Sequence, residues 1–245
     1  MTTDQHIRGA AAALRAARRV FVLAGAGMGV ASGLKTFRSD GGYWREMPVT
    51  QLATPAGFER DPGFVWTWYN ERFTAQTSAE PNAGHRALAE LEELLPHFFI
   101  ATQNVDGLQT RAGSRNLVTL HGDLQSVRCT GCSYREPLAA PFPLARIAHA
   151  CGGKLRPNVV WFGEALPAIA WERAAAESAA ADVTIVAGTS LAVQPAAALA
   201  RAGDPRVVAI EVNPDAAGAT NAIVLRAGAE IALPQIVAAL RSDIA

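Results

Sequence analysis

Apolar residues in this chain come in short unbroken runs, at 20–24, 98–102, 117–120, 183–187, 207–211 and 223–225. Each run is too short for a helix, rich in β-branched residues and closed by small or polar ones. Such runs predict strands buried on both faces. Between several of them, residues 85–95, 171–180 and 195–202 carry Ala, Leu, Glu and Arg at helical spacing. A further helix is expected over 7–19, because the buried strand that follows needs a cover. Strands that alternate with helices make parallel βαβ units. The expected fold class is α/β, with a doubly wound, parallel Rossmann-like sheet.

Two segments break the alternation. Residues from about 40 to 82 hold aromatics and turn formers without a strand, and about 123 to 158 hold every cysteine and many prolines and glycines. Both read as insertions that together build a smaller lobe, the first of them helical. The larger lobe then spans about 1–39, 83–122 and 159–245, within one unit covering 1–245. A cleft between lobes is a favoured ligand site.

Charge narrows the partners. Lys+Arg and Asp+Glu both number 22, which leaves no net field for gripping nucleic acid or an anionic membrane. No stretch reaches the ~18 unbroken apolar residues of a membrane span; the richest, 183–200, is interrupted by Thr184, Thr189, Ser190 and Gln194. The N-terminus lacks the apolar core of a secretory signal. The three cysteines are an odd number, which suits a reducing cytoplasm better than a disulfide framework. A cytoplasmic monomer is expected.

Candidate chemistry starts where the first strand ends, at Gly25-Ala26-Gly27-Met28-Gly29. Glycines directly after a strand let the backbone approach a pyrophosphate. The dinucleotide fingerprint would want glycine where Val30 stands, so this turn alone serves close packing as readily as phosphate binding. Ser32-Gly33, Phe37-Arg38, Gly41-Gly42 and Tyr43-Trp44 follow. The second strand ends in Gln103-Asn104-Val105-Asp106, and the third in Leu120-His121-Gly122. Polar residues at the carboxyl ends of parallel strands lie where open α/β sheets bind ligands. Later strand ends carry Gly188-Thr189-Ser190 and Asn213-Pro214-Asp215, and a late turn carries Gly228-Ala229.

In order and spacing these pieces resemble the sirtuins, over about residues 20–240. The resemblance implies an NAD-consuming protein-lysine deacylase. It gives Gly25, Ala26 and Gly27 to the pyrophosphate, and Phe37, Arg38 and Trp44 to the loop over the nicotinamide ribose. Gln103 would contact the ribose and Asp106 the nicotinamide carboxamide, while Asn104 orders ribose and water beside the reacting carbon. Thr189 and Ser190 would meet ribose and phosphate, and Asn213, Asp215 and Ala229 the adenosine. His121 is implied as the general base, a role that needs a pKa near neutrality. Free lysine, nicotinamide and O-acyl-ADP-ribose would result. Gln109 stands where the family commonly has histidine, which implies a changed contact. Mono-ADP-ribosyl transfer and a catalytically weak NAD sensor are the rival readings.

The acylated peptide would pair, as an added strand, with Val160, Phe162 and Gly163. Tyr69 and Arg72 lie three residues apart on one helical face, and arginine can clamp a carboxylate. With Ala53 as the small residue that makes room, they resemble the sirtuin class that removes succinyl, malonyl and glutaryl groups. Cys129, Cys132 and Cys151 resemble the family's structural zinc ligands. A fourth is missing, since Ala148 occupies its place, and His149 in an H-x-C pair is a poor substitute for C-x-x-C. His85 is read as structural.

Overall fold

The computed structural model describes residues 3–36, 42–201, 204–216, 218 and 222–242. In chain order its strands are β1 (Val20–Ala24), β2 (Tyr43–Trp44), β3 (Met47–Pro48), β4 (Phe98–Thr102), β5 (Leu117–Thr119), β6 (Gly122–Cys129), β7 (Arg135–Pro137), β8 (Leu155–Val159), β9 (Val183–Ala187), β10 (Val208–Val212) and β11 (Ala222–Leu225). The helices are α1 (Thr3–Ala16), α2 (Val49–Leu52), α3 (Pro55–Arg60), α4 (Pro62–Ser78), α5 (Ala83–Leu94), α6 (Leu108–Arg111), α7 (Ala168–Ala179) and α8 (Ala229–Ser242). The six expected apolar runs form one six-stranded sheet in the order β11-β10-β9-β1-β4-β5, with every pairing parallel.

Period-two alternation divides the central strands between two cores. Val20, Val22, Ile100 and Ile185 face a core roofed by α1, α5 and α8. Phe21, Leu23, Phe99 and Val186 face the other side, against α7 and a 3-10 turn at Ala196–Ala200. The helix expected over 195–202 is only that short turn. Helix α8 was not expected, although Ala229, Ala232, Leu233, Ile236, Val237 and Leu240 lie buried at helical spacing along it.

A third core lies outside this sheet. Phe58, Trp66, Tyr69 and Phe73 of α3 and α4 pack with Leu124, Val127, Leu155 and Trp161, beside the antiparallel sheet β7-β6-β8. The segment expected to lack strands holds the small antiparallel pair β2 and β3. Its turn places Arg45 and Glu46 at φ 46° and 66°, the left-handed pairing of a two-residue hairpin.

Helix α5 begins at Ala83, ahead of the expected 85, because Asn82 caps it. The Asn82 Oδ1 accepts from the Gly84 and His85 N–H groups at 2.9 and 3.4 Å, and His85 Nδ1 accepts from the Asn82 N–H at 3.3 Å. Burial first, and Arg86 second, lower the His85 pKa to about 4. An unfolded histidine takes a proton as pH falls through about 6.5, whereas the native ring stays neutral to about 4. Stability is therefore lost as pH falls across that window, by roughly 2–3 kcal/mol. Urea unfolding at pH 7 and at pH 4.5 should show this loss. His85→Gln, which keeps the cap without the titration, should remove most of it; an unchanged loss would exclude His85 as its source.

Candidate active site and metal centre

The strand order reverses between β1 and β9, and open α/β sheets form a ligand crevice at such a switch point. Here two backbones nearly touch. Gly25 N–H donates to Ala187 O at 2.9 Å and Gly27 N–H to Gly188 O at 2.8 Å. A Cβ on Gly27 would lie 2.8 Å from Gly188 Cα, and one on Gly25 would lie 2.6 Å from Thr189 Cβ. Gly188 itself has φ 62°. The glycines are thus fixed by packing between strand ends, and the crevice floor is bare backbone.

Polar side chains from three strand ends lie around that floor. Asn104 Nδ2–H donates to Gly25 O at 2.9 Å, while Gln103 Nε2 donates to Thr189 Oγ1 at 3.3 Å. Asn213 Nδ2 donates to Thr189 O at 3.0 Å, and the Asn213 side-chain Oδ1 accepts the Asp215 N–H at 3.2 Å. Gly25, Ala26, Gly27, Gln103, Asn104, Gly188, Thr189 and Asn213 therefore form one group, with Ser190 exposed at its edge. Asp106 accepts the Leu108 N–H at 2.8 Å. Burial raises the Asp106 pKa, opposed by that N–H and by Arg72 and Arg111.

Other expected residues lie elsewhere. Ala229 is 3% exposed, at the start of α8, with its backbone against Gly84 of α5. Trp44 donates its indole N–H to Glu71 at 2.7 Å and packs on Phe64 at 5.0 Å, both on α4. Phe37 and Arg38 lie outside the described residues. Gln109 is buried, with its amide donating to His85 O at 3.2 Å and Ser114 Oγ at 2.7 Å.

His121 sits between the two sheets. Its Nδ1 lies 3.0 Å from Gln103 O; a carbonyl can only accept, so Nδ1 carries the proton and Nε2 the lone pair. Burial lowers the pKa of this ring, partly offset by that bond. The His121 carbonyl accepts the Val160 N–H at 2.9 Å, and two residues on, the Phe162 N–H reaches Ala53 O at 2.9 Å. The segment after β8 thus ties the His121 strand end to the start of the third core. Phe162 is 42% exposed along it, and Gly163 holds φ 87° with open space beside it.

Beneath that segment, Tyr69 is 1% exposed and accepts the Trp161 indole N–H at 2.9 Å. Burial pushes its pKa up to about 12, against the bond from Trp161 and the charges of Arg72 and Arg156. Arg72 stacks 5.5 Å over the Trp68 ring. Burial lowers its pKa, opposed by Tyr69 and Asp106. The sequence-predicted pair is thus brought together, with Asp106 in electrostatic reach.

The cysteine cluster corrects the expectation of a missing fourth ligand. His149 Nδ1 lies 3.1 Å from Cys151 Sγ and 3.7 Å from Cys132 Sγ, and Cys129 Sγ lies 3.4 Å from Cys151 Sγ. All four donor atoms fall within 4.8 Å of one another. Tetrahedral zinc with legs of about 2.0–2.3 Å wants donors roughly 3.5 Å apart. The turn following His149 returns Cys151 to the same point, since Gly152 N–H donates to His149 O at 2.9 Å. Imidazole reaches further than a thiol, so a residue displaced by one position still delivers its nitrogen. Gly153 is needed there, as its Cβ would lie 2.8 Å from Cys129 Sγ. The N–H of Gly131, foremost, lowers the Cys129 pKa to about 7, which favours the thiolate that metals bind. These donors fit a structural zinc, which would join the β6 end to the approach of β8.

Residues 25–195 match the Sir2 family. An NAD-dependent protein deacylase of Thermus thermophilus is 47% identical over 207 residues, 82% of each chain. A crystal structure of a Sir2 homolog–NAD complex superposes with a TM-score of 0.87 at 38% identity, covering 98% of this chain and 94% of that one. Another, of Sir2 with an inhibitor, 2'-O-acetyl-ADP-ribose and a deacetylated p53 peptide, has a TM-score of 0.79 at 26% identity, covering 96% and 98%.

The cluster makes its own prediction. Elemental analysis should find about one zinc per chain, and His149→Ala should lose most of it to a chelator while His149→Cys keeps it. Cobalt substitution should give sulfur-to-metal charge-transfer bands that change between wild type and His149→Cys. Full zinc retention by His149→Ala would remove the histidine from the ligand set.

Proposed function

The chain belongs to the Sir2 family and is an NAD-dependent protein deacylase, and from that premise we propose that it favours lysines carrying acidic acyl groups, succinyl or malonyl. The observation that carries the preference is the buried Tyr69 beside the partly buried Arg72. A carboxylate that leaves water for an apolar channel loses several kcal/mol unless it is paired. Arg72 supplies a fixed charge there and Tyr69 a hydroxyl donor. Ala53, 4% exposed and joined through its carbonyl to the Phe162 N–H, leaves room for the longer chain. An acetyl group brings no charge and gains nothing from the pair.

In the mechanism, NAD supplies a ribose carbon whose bond to nicotinamide breaks as the acyl oxygen attacks. This chain's residues hold, orient and move protons around that carbon. Gly25 and Gly27 keep the crevice floor free of side chains for the diphosphate, with Ala26 between them. Gln103, Thr189 and Asn213 are already bonded to one another's loops, so they meet the sugars with little reorganisation. Ser190, exposed at the edge, stays with the ribose and phosphate, Asp215 takes the adenosine side, and Ala229 supports it from the core. Asn104, held on Gly25 O, orders ribose and water. Asp106 has one oxygen on the Leu108 N–H and presents the other to the carboxamide. His121, proton on Nδ1, accepts a ribose hydroxyl proton at Nε2. By the sequence resemblance Phe37 and Arg38 would contact the nicotinamide ribose, whereas Trp44 is engaged by Glu71 and Phe64 of α4. The peptide lies along Val160, Phe162 and Gly163 and binds through main-chain groups other than the Val160 and Phe162 N–H, which are bonded inward.

Two predictions follow from these roles. Because burial lowers the His121 pKa, the base stays unprotonated to lower pH than free histidine, and activity is lost only as pH falls below the ordinary value of about 6.5. A kcat/KM profile with its acid limb above that value would contradict the assignment, as would near-normal turnover by His121→Ala. The specificity reading is tested with matched succinyl- and acetyl-lysine peptides. A charge-assisted bond is worth ~1.5–3 kcal/mol, so Arg72→Met should cost at least about tenfold in kcat/KM on the succinyl peptide and far less on the acetyl one. Tyr69→Phe should act in the same direction, but less. Equal losses on both peptides would make Arg72 structural and the enzyme a general deacetylase.

A further inference from the structure

One partly buried ion pair grips a single tryptophan from two sides. Arg156, 3% exposed, places its guanidinium 3.2 Å from the centre of the Trp161 ring. Glu164 binds that guanidinium through both carboxylate oxygens, and its Oε2 also accepts the Trp161 main-chain N–H at 2.8 Å. Phe58 packs on the same indole at 5.1 Å. An ion pair drawn partly out of water contributes little net stability compared with apolar packing, and its geometry has another consequence. What it fixes is the direction of the indole N–H, which ends 2.9 Å from the Tyr69 hydroxyl.

That contact has only one polarity. An indole N–H donates and never accepts, so the Tyr69 oxygen must receive it. The hydroxyl proton is thereby turned elsewhere, and no acceptor for it lies among the described residues. Arg72 cannot accept it, because a guanidinium carries only donors. A buried O–H without an acceptor is costly, and an acyl carboxylate entering beside Arg72 is an acceptor of the right charge. A hydroxyl that accepts one bond becomes a better donor in the next, and a cation over the ring polarises the indole in the same sense. With a pKa of about 12, Tyr69 keeps its proton at any working pH.

The geometry points to Trp161 as a positioning residue for acyl specificity: held by Arg156 and Glu164, its indole N–H commits the Tyr69 hydroxyl to donating toward the acyl carboxylate. The inference rests on the acidic-acyl reading above and adds to it a residue that touches neither substrate nor cofactor.

Trp161→Phe keeps an aromatic ring and deletes the N–H. Should that change disturb folding, a benzothienyl-alanine at position 161 keeps the indole shape and lacks only the donor. In either variant the ratio of succinyl to acetyl kcat/KM should fall about three- to tenfold, mostly through KM. In a Tyr69→Phe background the same change should have no further effect on the ratio, because the hydroxyl it orients is gone. In the 15N spectrum, Tyr69→Phe should move the Trp161 indole proton upfield, as a lost hydrogen bond requires. An unchanged ratio, or a full further drop without the Tyr69 hydroxyl, would overturn the inference. If the Trp161 variants slow both substrates alike while Arg72→Met remains selective, the inference fails and the acidic-acyl reading stands. If Arg72→Met is also unselective, both fail.

Discussion

The close approach of two strand ends governs the rest of this molecule. Where β1 and β9 finish, the backbones of Gly25, Gly27 and Gly188 lie so near that a side chain on any of them would penetrate its neighbour. That contact can form only if β1 and β9 are parallel and in register, as they are from Val20 opposite Val183 to Ala24 opposite Ala187. It leaves an uncovered backbone floor at the point where the strand order reverses. Thr189, Gln103 and Asn104 then have short, fixed paths to that floor through hydrogen bonds to one another or to Gly25 O. The polar ring of the site is therefore a consequence of how the sheet closes its own centre.

A second constraint couples this crevice to the third core. The segment after β8 spends its main-chain donors inward: Val160 to His121 O, Trp161 to Glu164, and Phe162 to Ala53 O. His121, the segment after β8 and Ala53 therefore share one hydrogen-bonded strip. A shift in the antiparallel sheet would move them together.

Much of this was legible in the residues, and the failures have physical causes. Runs such as Val20–Ala24 and Phe98–Thr102 are apolar on both faces because helices cover both sides of the sheet, so periodicity placed them closely. The hairpin β2–β3 was invisible, since two residues per strand show no alternation and Arg45-Glu46 is not a glycine turn. Helix α8 carried its apolar stripe, but Pro234 interrupts the pattern that identifies a helix. The ligand set of the cysteine cluster was misread because spacing alone compares backbones. His149 stands one position from where a cysteine would serve, and a longer side chain with a tight turn closes the difference. Ala229 and Trp44 show the converse: a motif gives a residue's neighbourhood, while burial in α8 and contacts with α4 determine what its side chain touches.

The charges beside Tyr69 bear on how the proposed selectivity would arise without strong overall attraction. Arg72 is opposed by burial and supported by Asp106 and Tyr69, so before substrate arrives its charge is already partly balanced. A neutral acyl group leaves that balance as it was. A carboxylate must compete with Asp106 for the same guanidinium, and Coulomb attraction between them is shared among three groups. The net gain from the charge of Arg72 is then increased by a second donor that Asp106 does not use. Tyr69 is that donor: its bond to Trp161 consumes its acceptor side alone. On the proposed reading, the Arg72 charge supplies most of the discrimination between acyl groups, and the direction of one hydroxyl adds to it.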